Sequence, residues 1–363
     1  MERELGVTRE QILSFFRIIG EAGVAVEAIP GRLFEIAERY KIVLAQAEAR
    51  RSDNSEMVKL KVKLRAALAK PDLEGGDAIL AEVLEAQDLD IERRTLEAAA
   101  TCAQRGDIAM TRLRYREAAA HFGAAASRLP VSREKERFEY LHDQAGALYR
   151  EGKDYGVNSA LRSAEQVCRD LLGLCPREPR LVWMLQNSLG TVLVALGERG
   201  DGEALQRSIA AYEAALEASR ERAPLAWAMT QNNLGNALRI LGKCGDKRTL
   251  WRAVAACDAA LEERTRERDP LARANTQNNL GNALQVLGER GNDRALQRAV
   301  MTYETALNEL SRRDDPQCVA IIEIIQENLS RARALLHAPS RPWKFVPWSA
   351  IQRRISGTRQ RLL

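Results

Sequence analysis

The feature that most constrains the fold of this chain is an internal repeat. The octapeptide QNNLGNAL occurs at residues 231–238 and again at residues 277–284. Three similar segments begin with Gln-Asn at residues 186, 231 and 277, and they extend over 186–224, 231–270 and 277–316. A period of 45 to 46 residues indicates one structural unit used several times, so neighbouring units must stack to bury their apolar faces.

Each unit has the hydrophobic spacing of two helices. Leu234, Leu238 and Leu241 recur at i, i+4 and i+7, a Gly-rich turn follows, and the same period resumes from Leu250 to Leu261. Aromatic residues make up only 5% of the composition, and the strong helix formers Ala, Leu, Glu and Arg are abundant. We therefore predict an all-α protein in which antiparallel helix pairs stack into an α-solenoid.

Several residue types recur at fixed places in these units. A Leu-Gly pair lies in the first helix, an aromatic residue and an alanine lie in the second, and a proline ends the unit. These residues are Leu189, Gly190, Tyr212, Ala215 and Pro224 in one unit, and Leu280, Gly281, Tyr303, Ala306 and Pro316 in another. The middle unit keeps Leu234, Gly235, Ala260 and Pro270 but has Cys257 in the aromatic position. A shorter unit at 105–130 and a looser one at 142–176 precede them.

This pattern resembles the tetratricopeptide repeat, in a bacterial subclass with extended repeats of the QNNLGNAL type. The usual repeat has about 34 residues, and three units here are about eleven residues longer. The resemblance implies a right-handed α-solenoid whose first helices line a concave groove, where polar residues hold an extended peptide or a partner helix.

The asparagines of the repeat are the candidate partner-binding residues. Asn232 and Asn236 are four residues apart, so they share one helix face, and Arg239 extends that face. The equivalent residues in the neighbouring units are Asn187 and Thr191 before them, and Asn278, Asn282 and Gln285 after them. A carboxamide can donate to and accept from a partner's main chain. The alternative is that these amides bond to the neighbouring unit and only fix the stacking. Asn233 and Asn279 point about 100° away and are better candidates for that structural role.

The N-terminal third has heptad spacing. After Pro30, the apolar residues Leu33, Ile36, Tyr40, Val43 and Ala47 alternate spacings of three and four, and a second seam comprises Met57, Leu60, Leu64 and Ala67. We divide the chain into an N-terminal helical segment (1–30), a coiled-coil-like helical hairpin (31–87), a solenoid of about five helix pairs plus a capping helix (88–337) and a basic tail (338–363). The hairpin is a candidate surface for homo-oligomerisation.

The charge of the chain is concentrated in that tail. The net charge is +5, and residues 338–363 contain six basic residues and no acidic one. Three aromatic residues, Trp343, Phe345 and Trp348, accompany them. This mixture can bind nucleic acid or an anionic membrane surface. A tail that is disordered, or that covers the final helix, is the favoured alternative.

No pattern of residues indicates catalysis. The six cysteines are scattered without metal-ligand spacing, and the three histidines lie outside any catalytic motif. The Gly-rich runs lack the Lys-Ser/Thr of a phosphate-binding loop and occupy equivalent turns in each unit. We therefore expect no enzyme activity and no cofactor. The N-terminus lacks the apolar core of a signal peptide, so we expect a cytoplasmic protein.

Three functions remain open from the sequence. The leading hypothesis is a non-catalytic scaffold that binds a peptide or partner helix in the groove of a tetratricopeptide-like superhelix. The second is the sensor or regulatory arm of a bacterial signalling or defence system whose effector is a separate chain. The third is nucleic-acid or membrane-surface binding through the basic tail.

Overall fold

The computed structural model describes residues 5–6, 9–21, 23, 26–48, 63, 73–174, 178–219, 223–265, 268–311 and 316–337. These residues contain thirteen α-helices and one short 3-10 helix, and no β-strand occurs among them. Most helices pack against the helices that precede and follow them along the chain. This arrangement confirms the predicted all-α fold class.

The helices fall into two compact units, residues 1–167 and 168–363. The helices of the first unit are α1 (Arg9–Glu21), α2 (Ile29–Glu48), α3 (Leu73–Thr111), α4 (Tyr115–Arg128) and α5 (Glu134–Tyr155), and α6 (Asn158–Leu174) spans the division. The helices of the second unit are α7 (Pro179–Glu198), α8 (Gly202–Ser219), α9 (Pro224–Cys244), α10 (Lys247–Glu263), α11 (Pro270–Glu289), α12 (Asp293–Leu310) and α13 (Pro316–His337).

Prolines and short polar side chains set the helix starts in the second unit. The proline that ends each repeat is the first residue of the next helix, at Pro224, Pro270 and Pro316, where its missing N–H costs no hydrogen bond. Asp246 accepts a capping bond from the backbone N–H of Thr249 at 2.8 Å, and Asn292 caps α12 in the same way. These caps separate the two helices of each pair at the Gly-rich turns that the sequence predicts.

The glycine inside each first helix permits close contact with the second helix. A methyl group added at Gly190 would lie 2.5 Å from the ring of Tyr212, and one at Gly235 would lie 2.6 Å from the sulfur of Cys257. Gly281 faces Tyr303 in the same way, and Gly106 faces Phe122 in the first unit. Glycine in a helix costs about 1 kcal/mol relative to alanine, and the close approach of the two helices explains why it is present.

Each unit has its own hydrophobic core. In the first unit, Ile12, Phe15 and Ile19 of α1 are buried with side chains of α2, α3 and α4, so α1 serves as a packing helix. In the second unit, one continuous core runs from α7 to α13 and includes the fully buried Leu238, Leu284 and Tyr303. The first helices and second helices of each repeat therefore share one apolar interior.

Some predicted features lie outside the described residues. They are the four residues of the second seam (Met57, Leu60, Leu64 and Ala67) and the whole basic tail from residue 338. Of the first seam, Leu33 and Ile36 are buried, whereas the side chains of Tyr40, Val43 and Ala47 lie outside the described part. The predicted boundary between the hairpin and the solenoid, between residues 87 and 88, lies inside α3, which is a single helix of 39 residues.

Candidate partner-binding face

The candidate site lies on the first helices of the repeats in the second unit. Helix α7 packs against α9, α9 against α11, and α11 against α13, whereas contact between the successive second helices α8, α10 and α12 is less extensive. We define the first-helix face as the side of α7, α9 and α11 that carries Asn187, Asn232 and Asn278. All three side chains are half-buried.

A ladder of carboxamide hydrogen bonds connects these helices. Asn233 donates through Nδ2 to Oδ1 of Asn187 at 3.1 Å, and Asn279 donates to Asn232 at 2.9 Å. A third step continues into α13, where Asn328 donates to Asn278 at 2.9 Å. In each step the second asparagine of one unit donates and the first asparagine of the preceding unit accepts. The bond direction is therefore the same along the array.

This ladder shows that both asparagines of the motif contribute to stacking. Asn233 and Asn279 have the structural role expected for them, and Asn187, Asn232 and Asn278 accept the bonds. The accepting residues also keep donor capacity. Neither Asn187 nor Asn278 donates through Nδ2 to any group in the described part of the chain, and Asn232 makes one long bond of 3.4 Å to Asn233. Because each Nδ2 carries two hydrogens, every accepting residue retains at least one free N–H.

In the second predicted row, Thr191 and Asn282 contact tyrosines of the second helices, and Asn236 bonds within its own helix. Tyr303 donates its hydroxyl to Oδ1 of Asn282 at 2.7 Å, and the hydroxyl groups of Tyr212 and Thr191 are 3.2 Å apart. In the middle unit Cys257 provides no phenol, and Arg239 donates to Oδ1 of Asn236 at 2.8 Å instead. The side chains of this row thus bond within their own units.

Arg239 and Gln285 occupy equivalent places but have different surroundings. Arg239 is half-buried, its Nε has no hydrogen-bond partner in the described part of the chain, and burial lowers its pKa. Gln285 is buried, lies 3.3 Å from the hydroxyl of Tyr303 and donates to Glu289 at 3.1 Å. Burial also raises the pKa of the Cys257 thiol to about 12, so this thiol stays protonated at neutral pH. Of the eight predicted residues, Gln285 is the one that is buried.

The number of charged residues differs between the first and second helices of the three repeats. Helices α7, α9 and α11 carry two charged residues each, whereas α8, α10 and α12 carry four, six and five. Away from the helix ends, the only charged residues on the first helices are Arg239 and Arg273. Arg273 is engaged by Glu309 at 3.2 Å and by the backbone oxygen of Arg264 at 2.8 Å. The first-helix face is therefore almost uncharged.

A second ladder, which the sequence interpretation missed, connects the charged second helices. Arg252 of α10 contacts Glu213 of α8 at 2.9 Å, and Arg298 of α12 contacts Asp258 of α10 at 2.6 Å. In α13, Arg333 contacts Glu304 at 2.7 Å. The sequence does contain this pattern, because Arg252 and Arg298 occupy equivalent positions, and so do Glu213 and Asp258. Asn328 was missed for a similar reason, since the segment QENL at 326–329 is a weak copy of QNNL.

The described residues contain no cluster of three or more His, Cys, Asp or Glu side chains that could hold a metal ion. The described side chains of Cys102, Cys168, Cys257 and Cys318 form no disulfide bond, and three of them are buried. One described helix, α7, is long and apolar enough to cross a membrane by length and composition. Eight of its residues are buried within the protein, which is the environment of a core helix.

No protein-family model matches the chain, and no curated protein matches it. The crystal structure of BtubC (BKLC) from P. vanneervenii is similar at 17% identity with a TM-score of 0.40, over 70% of this chain and 96% of that chain. The DHF58 filament is similar at 17% identity with a TM-score of 0.12, over 85% of this chain and 99% of that chain. Both TM-scores are low, and neither likeness carries an argument about this chain.

Proposed function

We propose that this chain is a non-catalytic protein–protein interaction scaffold with repeats of the tetratricopeptide type, and that it binds a peptide or partner helix on the first-helix face. The observation that carries the proposal is the set of half-exposed carboxamides, one per unit, that keep a free N–H after the ladder is made. The closer packing of first helices than of second helices also supports it, because such an array bends with its first helices on the inner side.

The direction of the ladder allows a test that spares the fold. Changing Asn187→Asp together with Asn278→Asp keeps an oxygen that accepts from Asn233 and Asn328, and it removes the free donor. A matched control changes Gln206→Glu and Gln297→Glu, which are exposed residues of α8 and α12. Both variants exchange two amides for two carboxylates, so they alter the net charge equally.

The experiment is quantitative co-purification from the native host, with the wild type and both variants as bait. We expect a set of proteins that the wild type and the Gln variant retain and the Asn variant loses, while the thermal midpoints stay within a few degrees. Retention of every partner by the Asn variant would contradict binding at the first-helix face. The same screen addresses the cytoplasmic location, since the recovered partners report the compartment.

A second candidate is the sensor or regulatory arm of a bacterial signalling or defence system with a separate effector. The motif resemblance to bacterial extended repeats favours it, and it uses the same binding face. A genomic neighbour encoding a protease-like or nucleotide-processing enzyme, recovered with the bait, would support this role. The third candidate, nucleic-acid or membrane binding through residues 338–363, predicts salt-sensitive binding that disappears when those residues are deleted.

A further inference from the structure

An exposed face of helix α3 in the first unit carries apolar side chains. Among the described side chains of α3, none from residue 78 to residue 98 is buried, and Ala99 is the first that is. Leu84, Leu89 and Ile91 lie in this stretch and are 59%, 61% and 62% exposed. Large aliphatic side chains that are exposed singly are ordinary on a protein surface, but several close together on one helix indicate an interaction site.

The helical spacing shows how these side chains are arranged with respect to acidic ones. Successive residues of a helix are rotated by about 100°, so Leu84 and Ile91 lie within about 20° of each other and Leu89 lies about 140° away from Leu84. Asp88 and Glu85 fall between them, at about 40° and about 100° from Leu84. All five side chains are exposed. We call these five residues the acidic face of α3, because two carboxylates lie in the middle and aliphatic side chains lie on both edges.

This face carries negative charge that the described residues do not neutralise. Residues 77–92 contain six acidic residues and no Lys, Arg or His. Asp90 and Glu92 are bonded to arginines that follow them in the chain. Glu85 and Asp88 form no ion pair with the described part of the chain. The carboxylates that lie between the aliphatic side chains are therefore the ones that remain available to a partner.

We infer that the acidic face of α3 is a docking surface for a basic segment of another protein, in which Lys or Arg residues are interspersed with apolar ones. Contact with Leu84, Leu89 and Ile91 removes their apolar surface from water, which favours binding. The same contact takes Glu85 and Asp88 partly out of water, and a carboxylate that loses water requires a positive charge or a hydrogen-bond donor in return. A segment with both apolar and basic side chains meets the two requirements together.

The charge of this face disfavours the other molecules that could cover its aliphatic side chains. The same face of a second copy would bring like charges together. Nucleic acids and anionic membrane surfaces are themselves negatively charged and would be repelled. A neutral apolar partner would leave the carboxylates desolvated and unpaired. A basic polypeptide is therefore the occupant that the face fits.

The probes are three synthetic peptides of about 18 residues, which form about five helical turns. The first combines Leu, Lys and Ala so that Leu and Lys lie on one side of a helix, the second has Gln in place of every Lys, and the third has Ala in place of every Leu. We expect the first peptide to bind the full chain saturably in fluorescence anisotropy, and the other two to bind at least about tenfold more weakly. Raising the NaCl concentration from about 50 to about 500 mM should weaken binding of the first peptide about tenfold or more.

The acidic residues are tested by a matched pair of variants. Glu85→Gln with Asp88→Asn should weaken binding of the first peptide at least about threefold, because two charge-assisted contacts are lost. The control Glu203→Gln with Glu217→Gln removes the same charge at exposed positions of α8. This control should change the affinity less than about twofold, since charges away from the contact are screened.

The aliphatic residues are tested in the same way. Leu84→Gln with Ile91→Gln should weaken binding of the first peptide at least about fivefold, because the apolar contact is lost. The control Met301→Gln with Ile324→Gln changes side chains that are 66% and 53% exposed, and its effect should be less than about twofold. All the substituted positions are exposed on helices, so we expect circular dichroism to show unchanged helicity for every variant.

Three results would overturn the inference. If either variant weakens binding no more than its control does, the peptide binds elsewhere on the chain or without the residues that we name. If the charge variant weakens binding and the aliphatic variant does not, the contact is only general attraction between charges. Absence of saturable binding to the wild type, as expected if a basic segment of the chain itself covered the face, would also overturn the inference. None of these results bears on the first-helix face, which Asn187→Asp with Asn278→Asp tests separately.

Discussion

The two ladders of the second unit join the same repeats with different chemistry. On the first helices, neutral carboxamides such as Asn279 and Asn232 bond across units in half-buried surroundings. On the second helices, charged pairs such as Arg298 and Asp258 bond across units at exposed positions. A half-buried neutral bond is screened little by salt and costs more when broken, whereas an exposed ion pair contributes little and weakens with salt. Stacking should therefore depend mainly on the first helices.

The most damaging test of this comparison reverses the donors of the amide ladder. Asn233→Asp with Asn279→Asp places carboxylate oxygens against the accepting oxygens of Asn187 and Asn232, so neither step retains a hydrogen while those two carboxamides keep their orientation. We expect a loss of about 2–6 kcal/mol in the free energy of unfolding of the second unit, at about 1–3 kcal/mol for each of the two half-buried acceptors left unpaired. Urea unfolding followed by circular dichroism measures this loss.

The matched change at the accepting positions serves as the control for that loss. Asn187→Asp with Asn278→Asp introduces the same two charges and keeps both ladder bonds, so it should cost less than about 1 kcal/mol. Equal losses for the two double variants would show that the donors and acceptors are not arranged as described.

A smaller loss of stability is expected when a tyrosine hydroxyl that bonds a second helix to a first helix is removed. Tyr303→Phe removes the hydroxyl that donates to Asn282 at 2.7 Å, in a side chain that is fully buried. The expected cost is about 1–2 kcal/mol. Tyr212→Phe removes a longer contact of 3.2 Å to Thr191 and should cost less. Thermal unfolding of both variants compares them, and a larger loss for Tyr212→Phe would contradict this ranking.

The ion-pair ladder of the second helices should contribute less to the free energy of unfolding than the amide ladder or the tyrosine hydroxyl groups. Arg252→Gln with Arg298→Gln breaks two pairs whose side chains are 39–52% exposed, and we expect a total loss of about 0.4–2 kcal/mol in low salt. In 1 M NaCl the wild type and the variant should unfold at nearly the same urea concentration. A difference that persists at high salt would indicate that these arginines act through packing.

The smallest effect concerns the unit that departs from the others. Arg239→Gln introduces the residue that the third unit has at this place, and it removes a buried Nε that has no partner in the described part of the chain. We expect unfolding stability to rise by up to about 1 kcal/mol, because an incompletely paired buried cation is costly. A loss of more than about 1 kcal/mol in urea unfolding would show that the Arg239–Asn236 bond outweighs that cost.

Much of the fold was predictable because the same glycine, proline and leucine positions recur in three successive repeats. Gly235 and Gly281 indicated close helix contact, and the structure places Cys257 and Tyr303 against them. The prolines at 224, 270 and 316 marked unit boundaries and begin helices. These features depend on contacts within one unit, so the spacing in the sequence determines them.

The contacts between units were harder to predict. The sequence placed Asn232 and Asn236 on one helix face, but it left open whether they meet the neighbouring unit or a partner. The answer depends on how far one unit is rotated and shifted against the next, which no local pattern specifies. Asn232 proves to bond between units while Asn236 bonds within its own. The Arg252–Glu213 pair was missed for the same reason, since it too depends on that shift.

The one-way ladder has a consequence for how such a chain can change in length. Every internal unit supplies one donor to the repeat before it and one acceptor to the repeat after it, so a tandem duplication of a whole repeat inserts a module whose two ends already fit. Among the described residues the series ends at α13, where Glu327 replaces the accepting asparagine and accepts a bond from Arg331 at 2.8 Å. Growth by gene duplication therefore requires no compensating change in the flanking repeats.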